Sequence, residues 1–329
     1  MEIPTPPDHL HIAAIDCDFL TYRACAAAEM EIDFGEDVIL VQSKFSEVLK
    51  ILNNDFERIN RWLEDYFPYD HSIYLFFSHH TNFRKCVDPD YKGHRNRKKP
   101  CGYVRAINFL ANKYPTFVME GLEADDAMGI FSTSSRMPVM ICSPDKDMRQ
   151  IPGMLWNMDY QVKTPDVITP EEGFRWFLTQ TLTGDQTDGY SGVPGIGKVK
   201  ADNLLDKHGV SWDTVEAAFI KAGLTRDDAI RNARLARILT ANDYDFAARR
   251  PRLWTPERTG SGAPEVLRGG RGQGPATISL GDSSIPDPWL TPTASHTGLR
   301  ADDGAAVHDR QHDQAPPKRR VQKRKSRNT

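Results

Sequence analysis

Acidic residues placed after short apolar runs, with a glycine hairpin close behind the last of them, constrain this chain more than its size does. Asp16 closes one run. Glu123-Ala-Asp125-Asp126, Asp145-Lys-Asp147 and Gly184-Asp185-Gln-Thr-Asp188 come later, and Gly192-Val-Pro-Gly195-Ile-Gly197-Lys198 follows a few residues on. Carboxylates gathered at neighbouring strand ends repel one another unless a cation holds them, and divalent cations with oxygen ligands are the usual solution. A glycine-rich turn entering a helix offers backbone N–H groups to phosphate. The two features together point to metal and phosphate at one place.

The apolar runs read as strands. His11 to Ile15, Ser72 to Phe77, Thr116 to Met119 and Val139 to Cys142 are short, partly β-branched and bounded by polar or turn residues. From Gln42 to Phe67, Phe45, Val48, Leu49, Leu52, Phe56, Ile59, Trp62, Leu63 and Tyr66 recur at helical spacing. Strands alternating with helices predict an α/β fold with a mainly parallel sheet flanked by helices, whose carboxyl edge gathers the acids. Past Gly184 the pattern turns helical, with helices expected over Lys198 to Lys207, Asp213 to Ala222 and Arg226 to Leu239. The expected organisation is an α/β domain over 8–183, an α-helical region over 184–257 and a disordered tail over 258–329, where Gly, Pro, Ser, Thr and Arg dominate.

Among 329 residues the formal net charge is only -3, so any positive field for nucleic acid has to be local. It is concentrated in 79–105, where eight Lys or Arg residues face two acids. That segment has no sustained apolar stripe and is expected to cross the surface as an arch. A second basic cluster, from Lys318 to Arg327, ends the tail and either tethers DNA nonspecifically or is dispensable. The five cysteines are scattered without a CxxC pair, which argues against zinc and for reduced thiols in a cytoplasmic protein. No basic leader with an apolar core and no run of about 18 apolar residues is present, so neither secretion nor membrane insertion is expected.

Each acid alone has an ordinary explanation as a helix cap or turn residue. Their joint placement does not. Glu123 and Asp126 share a helix face, Asp125 points further round, and Asp145 and Asp147 straddle a turn. Such spacing suits two adjacent cations of the kind used in phosphodiester hydrolysis, and carboxylates suit Mg²⁺ or Mn²⁺.

In this order and spacing the chain resembles the 5′ nuclease family of flap endonucleases and phage 5′ to 3′ exonucleases. The resemblance covers roughly Ile12 to Asp243 and rests on Ile15-Asp16, Asn82-Phe-Arg84-Lys85, Tyr91-Lys92-Gly-His-Arg95, Gly121-Leu-Glu123-Ala-Asp125-Asp126, Ser143-Pro-Asp145-Lys-Asp147 and the hairpin after Asp188. It implies a PIN-like catalytic domain with a helical-hairpin DNA-binding region and two Mg²⁺ or Mn²⁺ ions. Asp16, Glu123 and Asp125 would hold the first ion, Asp145, Asp147, Asp185 and Asp188 the second, and Asp126 would bridge them or ligate through water, with the division left open.

The family usually carries an aspartate just after the second strand, and here Ser78-His79-His80 follows Phe77. His79 is then a ligand that favours Mn²⁺, a phosphate contact, or a strand cap facing solvent. Lys92 and Arg95 match the pair that reaches the scissile phosphate. Tyr91 is expected either to stack on a terminal base or to anchor the arch to the core, and Arg84, Lys85, Arg97, Lys98 and Lys99 to contact phosphates of a 5′ single strand. Gly192, Gly195, Gly197 and Lys198 would grip the duplex, with K⁺ as an occasional companion of that hairpin. The expected activity is 5′ to 3′ exonucleolytic cleavage of DNA, with flap or RNA-primer removal and RNA–DNA hybrid as a further substrate in phage-type replication. A PIN-like endoribonuclease and a catalytically impaired DNA-structure-binding module are the alternatives.

Overall fold

In the computed structural model, which describes residues 11–67, 70–94 and 98–258, the apolar runs do become the central sheet. Its strands are β1 (His11–Asp16), β4 (His71–Phe77), β5 (Thr116–Val118), β6 (Val139–Cys142), β7 (Gly153–Trp156) and β8 (Asp166–Ile168), in spatial order β5-β4-β1-β6-β7-β8. All neighbours are parallel except β7 and β8. β1 is central: Ile15 is flanked by Leu75 on one side and Cys142 on the other. The chain fills one side of β1 before crossing to the other, so the carboxyl ends of β1, β4 and β6 open on a common crevice.

An antiparallel ribbon, β2 (Glu29–Asp33) and β3 (Ile39–Ser43), separates α1 (Cys17–Ala27) from α2 (Phe45–Tyr66) and was not expected from the sequence. The helix predicted from Gln42 therefore begins at Phe45. Its apolar face buries Val48, Leu52, Phe56, Ile59, Trp62 and Leu63, and Trp62 stacks on Trp156 with ring centroids 4.0 Å apart. Together with α1 and α4 (Tyr103–Ala111) it encloses the first core. Two more helices complete this half: α3 (Arg84–Val87) and α5 (Ala124–Ser134), the latter running beneath β1, β4 and β6.

A second core joins α6 (Pro170–Thr183), α7 (Lys198–His208), α8 (Trp212–Lys221) and α9 (Arg226–Ala236). It takes in Phe177, Leu178 and Leu182 of α6, ahead of the boundary expected at Gly184. Thr169 and Glu172 cap α6 reciprocally, with Pro170 in its first turn. Two short ribbons lie here, β9 (Gly184–Asp185) with β10 (Tyr190–Ser191), and β11 (Tyr244–Asp245) with β12 (Arg250–Pro251). α9 stops at Ala236, three residues before the expected end. The cause is tertiary: Arg84 binds the carbonyls of Leu235 and Arg237, Gln150 accepts the Ile238 N–H, and Asp126 accepts the Leu239 N–H. Among the described residues no helix is long and apolar enough to cross a membrane. The expected tail over 258–329 lies outside the described residues except for Arg258.

Candidate active site

Four segments deliver carboxylates to one cavity of about 390 Å³ at the carboxyl edge of the sheet. β1 ends in Asp16, which is 7% exposed and accepts the Ser143 hydroxyl at 2.9 Å. Burial, with Asp18 adding repulsion, pushes its carboxyl up to about 7. The entry to α5 supplies Glu123 and Asp125. After β6 the chain turns through Asp145, whose Oδ1 accepts the Asp147 N–H at 2.8 Å and opens a 3-10 turn over Lys146–Gln150. Asp147 is likewise pushed up to about 7, chiefly by burial and then by Asp145, and its Oδ1 is buried without a hydrogen-bond partner. The β9–β10 loop adds Asp185 and Asp188, its shape set by the Asp185 carboxylate accepting the Thr187 N–H at 2.7 Å.

Seven of the eight sequence-predicted acids thus line the cavity, and Asp18 joins them. Asp126 does not. It is fully buried, takes Arg84 in a two-point ion pair at 2.6 and 2.8 Å, and accepts the Leu239 N–H at 3.2 Å. A carboxylate so engaged holds the fold together, so the structure replaces its expected bridging role with a structural one. Arg84 changes role with it: it lines the cavity, but at 3% exposure its guanidinium is engaged by Asp126, Glu123, Leu235 and Arg237 in place of an exposed phosphate contact.

Of its two expected roles, Tyr91 is placed for the anchoring one. It is 2% exposed, with its hydroxyl donating to Glu123 and Asp188, so it braces two acids and presents no face for a base. Lys92 reaches the cavity: its ammonium bonds Glu123 and stands 3.6 Å from Asp188, and its backbone N–H donates to the Asp188 carbonyl at 2.8 Å. Burial alone would raise Glu123, but Lys92 and Arg84 outweigh it and hold the carboxyl down at about 2. Among its described residues the basic segment is therefore a strap with buried groups of its own, whose Arg84, Tyr91 and Lys92 line the cavity. Lys85, Lys98 and Lys99 are exposed on it, while Arg95 and Arg97 lie outside the described residues.

His79 does not line the cavity. Its Nδ1 accepts the N–H groups of Thr81 at 3.3 Å and Gly121 at 3.2 Å, closing the turn before α5. This removes the basis for a manganese preference built on His79. At the hairpin, a Cβ on Gly192 would stand 2.2 Å from the Leu182 carbonyl, so that glycine is required by backbone packing within the chain. Gly195 and Gly197 have nothing within 4 Å of such a Cβ, and Gly195 has a left-handed φ of 74°. Lys198 opens α7 and pairs with Asp202 at 2.8 Å, while Lys200 donates to the Gly195 carbonyl at 2.8 Å.

Sequence reasoning missed Asp18 and Gln150, and it named Ser143 within a motif without giving it a role. Asp18 stood two residues after Asp16 and had a visible signal; the other two act through tertiary hydrogen bonds that no spacing reveals. The donor set of this cavity, seven predicted acids plus Asp18 with an orphaned Asp147 oxygen, fits hard divalent cations. Among the described residues no group of three or more His, Cys, Asp or Glu side chains stands close enough together to hold a metal ion as placed.

Residues 11–173 match the family model described as 5′-3′ exonuclease, N-terminal resolvase-like domain. The chain is 29% identical over 293 residues to the exonuclease of Escherichia phage T7, covering 76% of this chain and 95% of that protein. It is also 29% identical to the exodeoxyribonuclease of Enterobacteria phage T3, over 76% of this chain and 94% of the relative. Among solved structures, a bacteriophage T5 flap endonuclease in complex with DNA and metal ions aligns with a TM-score of 0.47 at 15% identity, covering 69% of this chain and 88% of that one.

Proposed function

We propose that this chain is a 5′ to 3′ exonuclease of the 5′ nuclease family, a flap-endonuclease-like hydrolase, and that it hydrolyses DNA from 5′ ends with divalent cations held in the acidic cavity. The observation that carries the metal dependence is the gathering of Asp16, Asp125, Asp145, Asp147, Asp185 and Asp188 around one space, with burial raising Asp16, Asp125 and Asp147. Groups raised by crowding among their own kind are relieved by a cation. Bound there, such ions supply an activated water and charge for the leaving oxygen.

The chain's own residues supply the rest. Lys92 is kept protonated by Glu123 and Asp188 against the effect of burial, so it serves as a fixed positive charge toward a phosphate. Arg84 locks the entry to α5 and with it the placement of Glu123 and Asp125. Lys85, Lys98 and Lys99 offer phosphate contacts that carry no sequence preference and weaken as salt rises. Flap and RNA-primer removal is the finer reading; a role in replication draws on the match of part of this chain to 18% of a Rhizobium leguminosarum protein named DNA polymerase I.

The test is a 5′-labelled duplex incubated with Mg²⁺, Mn²⁺ or chelator. Nucleotides or short fragments are expected from the 5′ end with either ion and none with chelator. Undiminished cleavage in chelator removes the metal role, and tight binding without cleavage under any condition removes the enzyme. Asp145→Asn should abolish cleavage while DNA binding persists; wild-type turnover by that variant would sink the assignment of the cavity.

A further inference from the structure

Asp18 touches both ends of the strap. Its Oδ2 accepts the N–H of Ser78, where the strap leaves β4, at 2.9 Å, and its Oδ1 accepts the hydroxyl of Tyr103, where the strap enters α4, at 2.6 Å. Asp18 itself lies in the first turn of α1, directly after the strand that supplies Asp16. One rigid element therefore carries a cavity acid and, two residues on, the carboxylate on which the strap closes.

The two halves of the strap are held differently. The first is anchored deeply by Arg84 on Asp126, by Tyr91 on Glu123 and Asp188, and by the Lys92 N–H on Asp188. The second is held at Cys101, whose N–H reaches Glu29 at the root of the exposed β2–β3 ribbon, and at Tyr103. Lys99 lies over the Tyr103 ring, 4.3 Å from its centroid, and Lys98 precedes it. The Tyr103 hydroxyl thus fixes the part of the strap that carries two exposed cations.

We propose that Asp18 and Tyr103 are positioning residues: their bond sets where Lys98 and Lys99 stand relative to the cavity, and so favours DNA whose 5′ end is a single strand long enough to reach them. This rests on the nuclease reading above. A hydrogen bond to a carboxylate is strong enough that its loss is felt as roughly a tenfold change. The effect of losing the Tyr103 hydroxyl falls on the substrate arm and not on the bond cleaved, because Tyr103 lies outside the cavity lining and supplies no charge to the scissile phosphate.

Tyr103→Phe deletes the hydroxyl while keeping the ring against the core and under Lys99. Two substrates decide the matter: a duplex with a 5′ single-stranded arm of about five nucleotides, and the same duplex nicked without an arm. Tyr103→Phe is expected to raise KM for the armed substrate about tenfold at unchanged kcat and to leave kcat/KM on the nick within about twofold. Asp18→Ala with Tyr103→Phe should be no worse on the armed substrate than Asp18→Ala alone, as one shared bond requires. Equal loss on both substrates, no loss on either, or additive losses overturn the proposal while the nuclease reading stands. A wild-type protein that cuts neither substrate removes both.

Discussion

Arg84 and Asp126 form a fully desolvated ion pair whose remaining donors and acceptors are met by Glu123, Leu235, Arg237 and Leu239. Removing one partner of such a pair leaves a buried charge, which typically costs about 3–5 kcal/mol. Arg84→Met is therefore expected to lower unfolding stability by that order in urea titrations. DNA affinity of the protein that remains folded should be unchanged; a selective loss of affinity at wild-type stability would return Arg84 to the substrate-binding surface. Lys92 predicts the opposite pattern, because its charge faces the cavity. Lys92→Ala should lower kcat about a hundredfold with much less effect on KM, as expected when a charge aimed at the developing oxyanion is removed. Steady-state kinetics on one substrate separates the two residues.

Elements whose signal is local were legible in the sequence. β1, β4, β5 and β6 announced themselves as bounded apolar runs, and α7 and α8 fall within one or two residues of expectation. The β2–β3 ribbon was missed because it lacks a buried face: Met30, Phe34, Val38, Ile39, Leu40 and Val41 are all exposed, so no core pattern marks it. α6 was readable from Thr169-Pro-Glu-Glu172, a capping signature that the acidic motifs overshadowed. The end of α9 was not readable at all, since Arg84, Asp126 and Gln150 set it from far along the chain. The acids were legible as a group, but the separation of Asp126 from the others depends on Arg84 being buried, which its basic surroundings hid. Gly129 in α5 tests this junction. A mid-helix Gly→Ala change ordinarily stabilises by about 1 kcal/mol, yet here the new Cβ would stand 2.3 Å from the Leu239 carbonyl. Gly129→Ala should therefore destabilise and slow cleavage by displacing α5, whereas Gly197→Ala, with open space around it, should leave the melting temperature unchanged. A thermal melt of each variant reads the difference.

At the scale of the whole molecule, the crowded acids tie stability to pH and to cations. Asp16 and Asp147 are pushed up to about 7 by burial first and by Asp18 and Asp145 second, whereas an aspartate in an unfolded chain titrates near about 3.9. Between those values the folded protein binds more protons than the unfolded one. The stability these groups contribute is thus full below about 4 and is lost as pH rises through about 7. Glu123, held down at about 2, acts in the other direction, but its contribution is lost only as pH falls below about 4, outside this window. In chelator the melting temperature should fall between about pH 5 and pH 8. A divalent cation competes with the same protons, so Mg²⁺ should raise the melting temperature more at the upper pH, and its binding should release protons. Thermal scans with and without Mg²⁺ at both pH values, with calorimetry in two buffers of different ionisation enthalpy, measure both effects. A melting temperature in chelator that climbs across the window, or cation binding without proton release, would mean that the cavity acids are already charged and relaxed and that the cavity is not organised around a cation.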